Sequence, residues 1–247
     1  MKKLFRYVSL IPFRVQEYGL KATVNKIIVD TGNKLNIPIP PWLRWKAAHQ
    51  FHTQWKIQQK EHYGTEEYNR RIDQKSLEVL NDFYEKGTDF TDKIVLDVGC
   101  GTRGILPVIK AKTKIGADPT IDKVRNHFAF TNGTIYLSEK AETLTLTDNS
   151  VDIITCNNAL NHFENPDLAL AQIHRILKPD GLLLLEVFIE SMNIAHTTEF
   201  NPCTLTQLLA KYFTPIMVKH EQLRVKVEID EKLDGHLPMR WGGVFQK

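Results

Sequence analysis

An apolar run, Val95-Leu96, reaches an acid at Asp97 and then breaks into glycines in Val98-Gly99-Cys100-Gly101-Thr102-Arg103-Gly104. This is how a buried strand delivers backbone to a ligand at the carboxyl edge of an open sheet. Gly99 and Gly101 permit a sharp turn and close backbone approach, because neither has a Cβ to meet a bound molecule. Asp97, at the strand tip, can accept hydrogen bonds from a ligand ammonium or from turn amides. Read as G-x-G-x-x-G, the segment also fits a dinucleotide site. A carboxylate beside that cradle would repel a pyrophosphate, whereas it would attract a ligand with a cationic amino-acid end.

Other residues carry chemistry of their own. Asp118 lies 17 positions beyond Gly101, close to the ~20-residue spacing of a ribose-binding acid after a glycine turn. His162 supplies an imidazole whose ordinary pKa suits proton removal near neutrality, or else it shapes the pocket or caps the next helix. Asn157 and Asn158 offer carboxamides that orient an acceptor or bond their own backbone. His49 and His52 sit three apart without an evident third ligand, and no histidine–acid cluster has metal-site spacing, so no metal is expected.

With its surroundings the glycine segment resembles motif I of the class I S-adenosylmethionine-dependent methyltransferases, and the resemblance extends over residues 91–190. Lys114-Ile115-Gly116-Ala117-Asp118 is similar to the family's second strand and the acid that holds both ribose hydroxyls. Ala141-Glu142-Thr143-Leu144-Thr145-Leu146-Thr147-Asp148-Asn149-Ser150-Val151-Asp152 is similar to its A-E-x-L-P-F-x-D-x-S-F-D stretch, which lines the adenine and leads into the fourth strand. Ala159-Leu160-Asn161-His162-Phe163 resembles the segment after that strand, and Leu177-Lys178-Pro179-Asp180-Gly181 its L-K-P-G-G turn into the fifth.

The resemblance implies S-adenosylmethionine as cofactor. Asp97, Gly99, Cys100, Gly101 and Gly104 would take its methionine end, Asp118 the ribose and Ala141 and Glu142 the adenine. Asn157 would join the cofactor-binding residues at the same edge, and His162 would face the acceptor as general base. Methyl transfer from a sulfonium is an in-line displacement, driven mainly by holding the reacting atoms ~3–3.5 Å apart. A base is needed only for a hydroxyl or a protonated amine.

Two departures stand out. The third glycine comes one place late, with Arg103 inserted, which would alter the loop or set a guanidinium beside the methionine carboxylate. Lys140 stands where many relatives carry an aspartate for the adenine amino group. Asn157-Asn158 is not followed by the Pro-Pro-aromatic sequence of base-amino methyltransferases, so no nucleic-acid partner is expected. The variant is most similar to bacterial methyltransferases of uncertain acceptor, some tied to surface-glycan synthesis. The expected activity is O-methylation of a small-molecule or glycan-precursor hydroxyl, free or lipid-linked. The alternatives are a nicotinamide-dependent oxidoreductase, or a non-catalytic module that binds the cofactor or scaffolds an assembly.

The elements that must position these residues are legible from patterning. Strands are expected near 93–98, 114–118, 134–139, 151–157 and 182–188; the tail, with a helix over 204–212, a strand near 216–221 and Trp241-Gly242-Gly243-Val244-Phe245, resembles the family's closing sixth and seventh strands, which implies an antiparallel seventh. Asn165 and Pro166 read as N-cap and N1 of a helix with Leu170, Ile173 and Leu177 as its buried stripe. Leu77, Leu80, Phe83 and Tyr84 read as one helix face, stopped by Gly87. The expected fold is α/β: a doubly wound, seven-stranded, mostly parallel Rossmann-like sheet with helices on both faces and an N-terminal helical extension.

Composition agrees. The 247 residues are 42% hydrophobic and 25% charged, as in a globular protein with one full α/β domain plus an extension. Three separated cysteines suggest a reduced, cytoplasmic setting. Residues 1–46 hold nine bases and two acids, a net +7; the whole chain is +3, so the remainder sums to −4. A basic leader on an acidic body suggests peripheral contact with the inner membrane face. The expected units are a basic amphipathic segment over 1–41, a helical cap over 42–90 whose aromatics pack over the domain or stack on ligands, and the catalytic domain over 91–247.

Overall fold

The computed structural model describes residues 20–34, 39–58, 65–82, 84, 88–189, 197–222 and 239–247. Three helices precede the sheet: α1 (Leu20–Lys34), α2 (Pro41–Gln58) and α3 (Glu66–Asp82). Most of the basic segment expected over 1–41 lies outside the described residues. Its later part forms α1, which packs on α2 with Val29 and Ala47 buried and the Asn25 amide donating to Gln50 Oε1 at 2.9 Å.

The helix face expected around Leu77 is rotated. Leu77 is exposed, and α3 buries only Ser76 and Val79, with Leu80 partly covered. The helix ends at Asp82, so Tyr84 enters the core from a bend beyond it rather than from the helical stripe. Phe83 and Gly87 lie outside the described residues.

The sheet follows: β1 (Ile94–Val98), β2 (Thr113–Ala117), β3 (Thr134–Leu137), β4 (Val151–Asn157), β5 (Leu177–Ile189), β6 (Thr214–Gln222) and β7 (Met239–Gln246), in the order β3-β2-β1-β4-β5-β7-β6. β1 to β5 pair in parallel, and β7 runs antiparallel to both β5 and β6. The chain winds outward from β1 to β3, then returns to β4 on the other side. The carboxyl ends of β1 and β4 therefore flank the topological switch point, where open α/β sheets bind ligands.

The strands are almost continuously apolar because both faces of the sheet are covered. Leu96, Ile154, Leu183 and Leu185 pack on one side with Leu170, Ile173 and Ile176; Val95, Ile153 and Leu184 pack on the other with Val79, Tyr84, Ile105 and Leu106. After the glycines, residues 101–108 form successive turns, and the next helix is the short α4 (Ile121–Val124). In α5 (Pro166–Ile176) the Asn165 side chain caps Leu168 N at 3.1 Å with Pro166 in the first turn, as its sequence predicts. Leu177 opens β5 instead of closing that stripe: it bridges Val151, and an irregularity with Asp180 at φ +62° separates this bridge from the regular pairing at Leu182. The later helix, α6 (Pro202–Leu209), starts two residues before its expected position because Asn201 and Thr204 form a capping box.

Candidate active site

Asp97 stands beside Thr155 across β1 and β4 and is only 2% exposed. Its Oδ1 accepts from Thr155 Oγ1 at 2.8 Å and its Oδ2 from Ile105 N at 3.1 Å. Of the two roles open to it, this carboxylate takes the turn-amide one. Burial pushes its pKa up to about 7, against the two hydrogen bonds and with some help from the charge of Asp118. Gly104 has φ +55°, and a Cβ there would sit 1.8 Å from Asp97 Oδ2. The late third glycine makes room for the acid.

Gly99, at φ +74°, donates its N–H to Ala117 O at 2.8 Å, and Cys100 N shares that oxygen at 3.3 Å. A Cβ on Gly99 would lie 2.4 Å from the Ala159 Cβ, so the turns after β1 and β4 touch here. Gly101 N donates to Asp118 Oδ2 at 3.0 Å. Asp118 Oδ1 accepts from Thr120 N at 2.8 Å and from its hydroxyl. A carboxylate has about four acceptor sites; with three filled, Asp118 keeps capacity for a further bond at the end of β2.

Ala141 and Glu142 lie in a 3₁₀ turn, Ala141–Thr143, and both are buried. Glu142 Oε1 accepts from Asn165 N at 3.0 Å, which ties this turn to the start of α5. Lys140 pairs with Glu164 at 2.7 Å and lies 3.6 Å from the centre of the Trp45 ring of α2. Trp45 stacks on His49 at 4.7 Å, and His49 Nε2 is 3.4 Å from Lys123 Nζ. The α2 aromatics thus meet the domain beside the Ala141 turn. Among the described residues no group of three His, Cys, Asp or Glu could hold a metal.

At the end of β4, the Tyr84 hydroxyl donates to Asn157 Oδ1. This fixes the amide so that Nδ2 is the remaining donor, and that atom is buried without a partner. Asn158, at φ +47°, donates its N–H to Glu186 O at 2.7 Å while its Oδ1 is buried and unbonded. Asn161 is 1% exposed, with both amide atoms unbonded. His162, half-buried, closes the 3₁₀ turn Leu160–His162 and donates its N–H to Ala159 O at 2.9 Å. Four buried amide atoms without a hydrogen bond thus fall within five residues at this edge, whereas buried polar groups are almost always bonded.

Several features were hidden from sequence reasoning. Asn161 carried no signal beyond its place in a recognisable segment, and Tyr84 read as a helix-face residue. Glu186 forms a buried ion pair with Arg240 at 3.0 Å that no local pattern announces. Arg103 turns its guanidinium toward α3. Its Nε and Nη2 bind both Asp73 oxygens of α3, at 2.7 and 2.6 Å. Beside it, Ser76 donates to Gly104 O at 3.3 Å.

Residues 96–185, which hold every candidate residue from Asp97 to His162, match the model of a family described as a methyltransferase domain. Residues 96–185 form a methyltransferase domain, similar to those of the class I S-adenosylmethionine-dependent methyltransferases. The chain is 33% identical over 106 residues to the ubiquinone/menaquinone biosynthesis C-methyltransferase UbiE of Teredinibacter turnerae, covering 42% of this chain and 41% of that one. It is 29% identical over 126 residues to the malonyl-[acyl-carrier protein] O-methyltransferase of Calditerrivibrio nitroreducens, covering 50% of each. The matched stretches thus span half or less of these relatives. The solved structure of the [4+2]-cyclase SpnF shares the fold of the methyltransferase domain, with a TM-score of 0.56 and 17% identity over 73% of this chain and 82% of that one.

Proposed function

We propose that the chain transfers a methyl group from S-adenosylmethionine to a hydroxyl oxygen of a small molecule or glycan precursor. The observation that carries this reading is the meeting, at the β1/β4 switch point, of a glycine bend backed by Asp97 with the turn that holds His162 and four unbonded amide atoms. Gly99, Gly101 and Gly104 hold the left-handed backbone that the bend needs, and Gly99 and Gly104 leave room for Ala159 and Asp97, so in this reading the bend offers backbone N–H groups to the cofactor. Gly99, Cys100 and Gly101, shaped by Asp97 and Gly104, would hold the methionine end. Asp118 would bond the ribose, Ala141 and Glu142 would border the adenine, and Asn157 would lie between cofactor and acceptor.

The cofactor supplies an electrophilic methyl carbon on a sulfonium. The chain's own part is to hold the acceptor oxygen in line and to cover the site with α2 and α3. A ring nitrogen of His162 takes the hydroxyl proton as the oxygen–carbon bond forms. The relatives divide between a C- and an O-methyltransferase, and a hydroxyl is favoured here by a histidine set beside neutral amides. Among the described residues no helix is long and apolar enough to cross a membrane. The net +7 of residues 1–46, with Val24 and Ile28 exposed on α1, favours peripheral contact with anionic lipid.

Transfer of a labelled methyl group to a panel of hydroxyl, amine and carboxylate acceptors tests the reading. Because a neighbour with this fold is a cyclase, the assay must follow label into product as well as cofactor binding. Label entering hydroxyl acceptors supports it. Label entering only amines or carbon, or absence of cofactor binding, overturns it.

A further inference from the structure

We infer that the acceptor is an uncharged polyhydroxyl group, recognised through adjacent hydroxyls by the carboxamides of Asn157, Asn158 and Asn161. This rests on the reading of the β4 edge as the acceptor side of a methyltransferase site, and it adds what that site selects.

The argument starts from the bonds that are missing. Tyr84 holds Asn157 by its Oδ1, so Asn157 presents only Nδ2, a donor. Asn158 presents an unbonded Oδ1, an acceptor. Asn161 presents both, on a residue only 1% exposed. The three amides therefore lack partners of both kinds, and all three are neutral groups. A hydroxyl donates and accepts at one atom, so a pair of neighbouring hydroxyls can satisfy both amide nitrogens and both amide oxygens. A carboxylate or phosphate would serve the donors but set lone pairs against Asn158 and Asn161 Oδ1. An ammonium would do the reverse.

Glu186 is matched by Arg240 at 3.0 Å, Arg103 by Asp73 at 2.6 Å and Lys140 by Glu164 at 2.7 Å. Asp97 and Asp118 give their oxygens to turn amides and threonine hydroxyls. A cationic acceptor would have to draw a carboxylate out of one of these pairs to find a counterion, whereas a neutral one need not. Asn161 is also held in place, because its backbone oxygen receives Thr197 N at 2.8 Å and Thr197 Oγ1 at 3.0 Å. Thr197 thereby ties down the 3₁₀ turn, and the unbonded amide belongs to a held position.

The test uses the full chain loaded with S-adenosylhomocysteine, whose binding is measured first by calorimetry. Methyl glucoside and myo-inositol serve as neutral polyols, glucuronate and glucosamine as charged counterparts, and cyclohexanol as a single hydroxyl. The expected result is that a neutral polyol binds at least tenfold tighter than the charged sugars and than cyclohexanol. Asn161→Leu should weaken that binding at least tenfold. Asn161→Asp, nearly isosteric, should move the preference toward glucosamine, so the inference can still be judged if the leucine variant misfolds. A charged sugar or cyclohexanol binding as well as the polyols overturns the inference. So does an S-adenosylhomocysteine-loaded protein that binds no member of the panel. Failure to bind S-adenosylhomocysteine itself overturns the methyltransferase reading beneath it.

Discussion

The Asp97 carboxylate occupies the space that a side chain at Gly104 would need: a Cβ there would come within 1.8 Å of Oδ2. The acid and the third glycine form one device, in which the glycine admits the carboxylate and the carboxylate ties Ile105 N at 3.1 Å into the turn. Gly104→Ala should therefore cost more than the usual ~1–2 kcal/mol of a left-handed non-glycine residue, because the clash is with a buried anchor that cannot swing away. Gly133→Ala is the control, since Gly133 has φ +69° and a Cβ added there would meet nothing within 4 Å. Urea unfolding should show Gly104→Ala as the larger loss by several-fold, with weaker S-adenosylhomocysteine binding. Equal losses in the two variants would remove Asp97 from the account.

Burial that lifts Asp97 to about 7 makes it a source of pH-dependent stability. The ordinary value is lower in the unfolded chain, so the folded state holds this proton more tightly. The contribution is fully present below the unfolded pKa near ~4 and is lost as pH rises through about 7. At ~1.4 kcal/mol per unit the ceiling is ~4 kcal/mol. Denaturant midpoints taken from pH 5 to 8 should fall more steeply for the natural chain than for Asp97→Asn, which cannot ionise. Parallel profiles would show that Asp97 does not titrate in this window.

How much of the site is legible in the sequence depends on whether its cause is local. The strand tips, the Asn165 cap and the order of the segments are written in short-range patterns, and they fall where those patterns put them. The Asp97–Ile105 contact is foreseeable only as one of two roles, because turn amides and a ligand ammonium ask the same thing of a carboxylate. Arg103 cannot be placed from sequence at all: its partner Asp73 is 30 positions away, on the polar side of another helix. Tyr84 departs from its helical reading for a related reason, since helical spacing continues in the sequence past Asp82 while the helix does not. Long-range polar pairing leaves no periodic trace, so the charge matching of the site is visible only in three dimensions.

Arg103 and Asp73 should act as a coupled pair. α3 buries only Ser76 and Val79, so its seat over the glycine bend depends on polar contacts, of which this two-pronged pair is the most directional. Both side chains are partly exposed, at 21% and 26%, which limits the coupling to ~1 kcal/mol in a double-mutant cycle. Arg103→Ala and Asp73→Ala should each raise the Kd for S-adenosylhomocysteine several-fold, and the double variant should add little. Additive effects would mean that the two residues act separately.

The Glu186–Arg240 pair is a different case, since its side chains are 3% and 10% exposed. Removing one partner leaves a desolvated charge, so Arg240→Met should cost ~3–5 kcal/mol, while Glu186→Leu with Arg240→Met should recover much of that loss. Thermal or urea unfolding of the two variants checks this. A double variant no better than the single would show that the pair's value lies in its directional hydrogen bonding, not in charge balance.

His162 separates a base from a wall. As the group that takes the acceptor proton, its replacement in His162→Gln should lower kcat by ~10²–10⁴, with the affinity for S-adenosylhomocysteine retained. The decisive comparison varies the acceptor. A phenol gives up its proton far more readily than an alkyl hydroxyl, so the loss caused by His162→Gln should shrink markedly as the acceptor becomes more acidic. If His162 only shapes the pocket or orders the turn after β4, the loss should be the same for both acceptors, or should follow their size. Measuring kcat for the natural chain and the variant with an alkyl alcohol and a phenol of similar volume distinguishes the two roles.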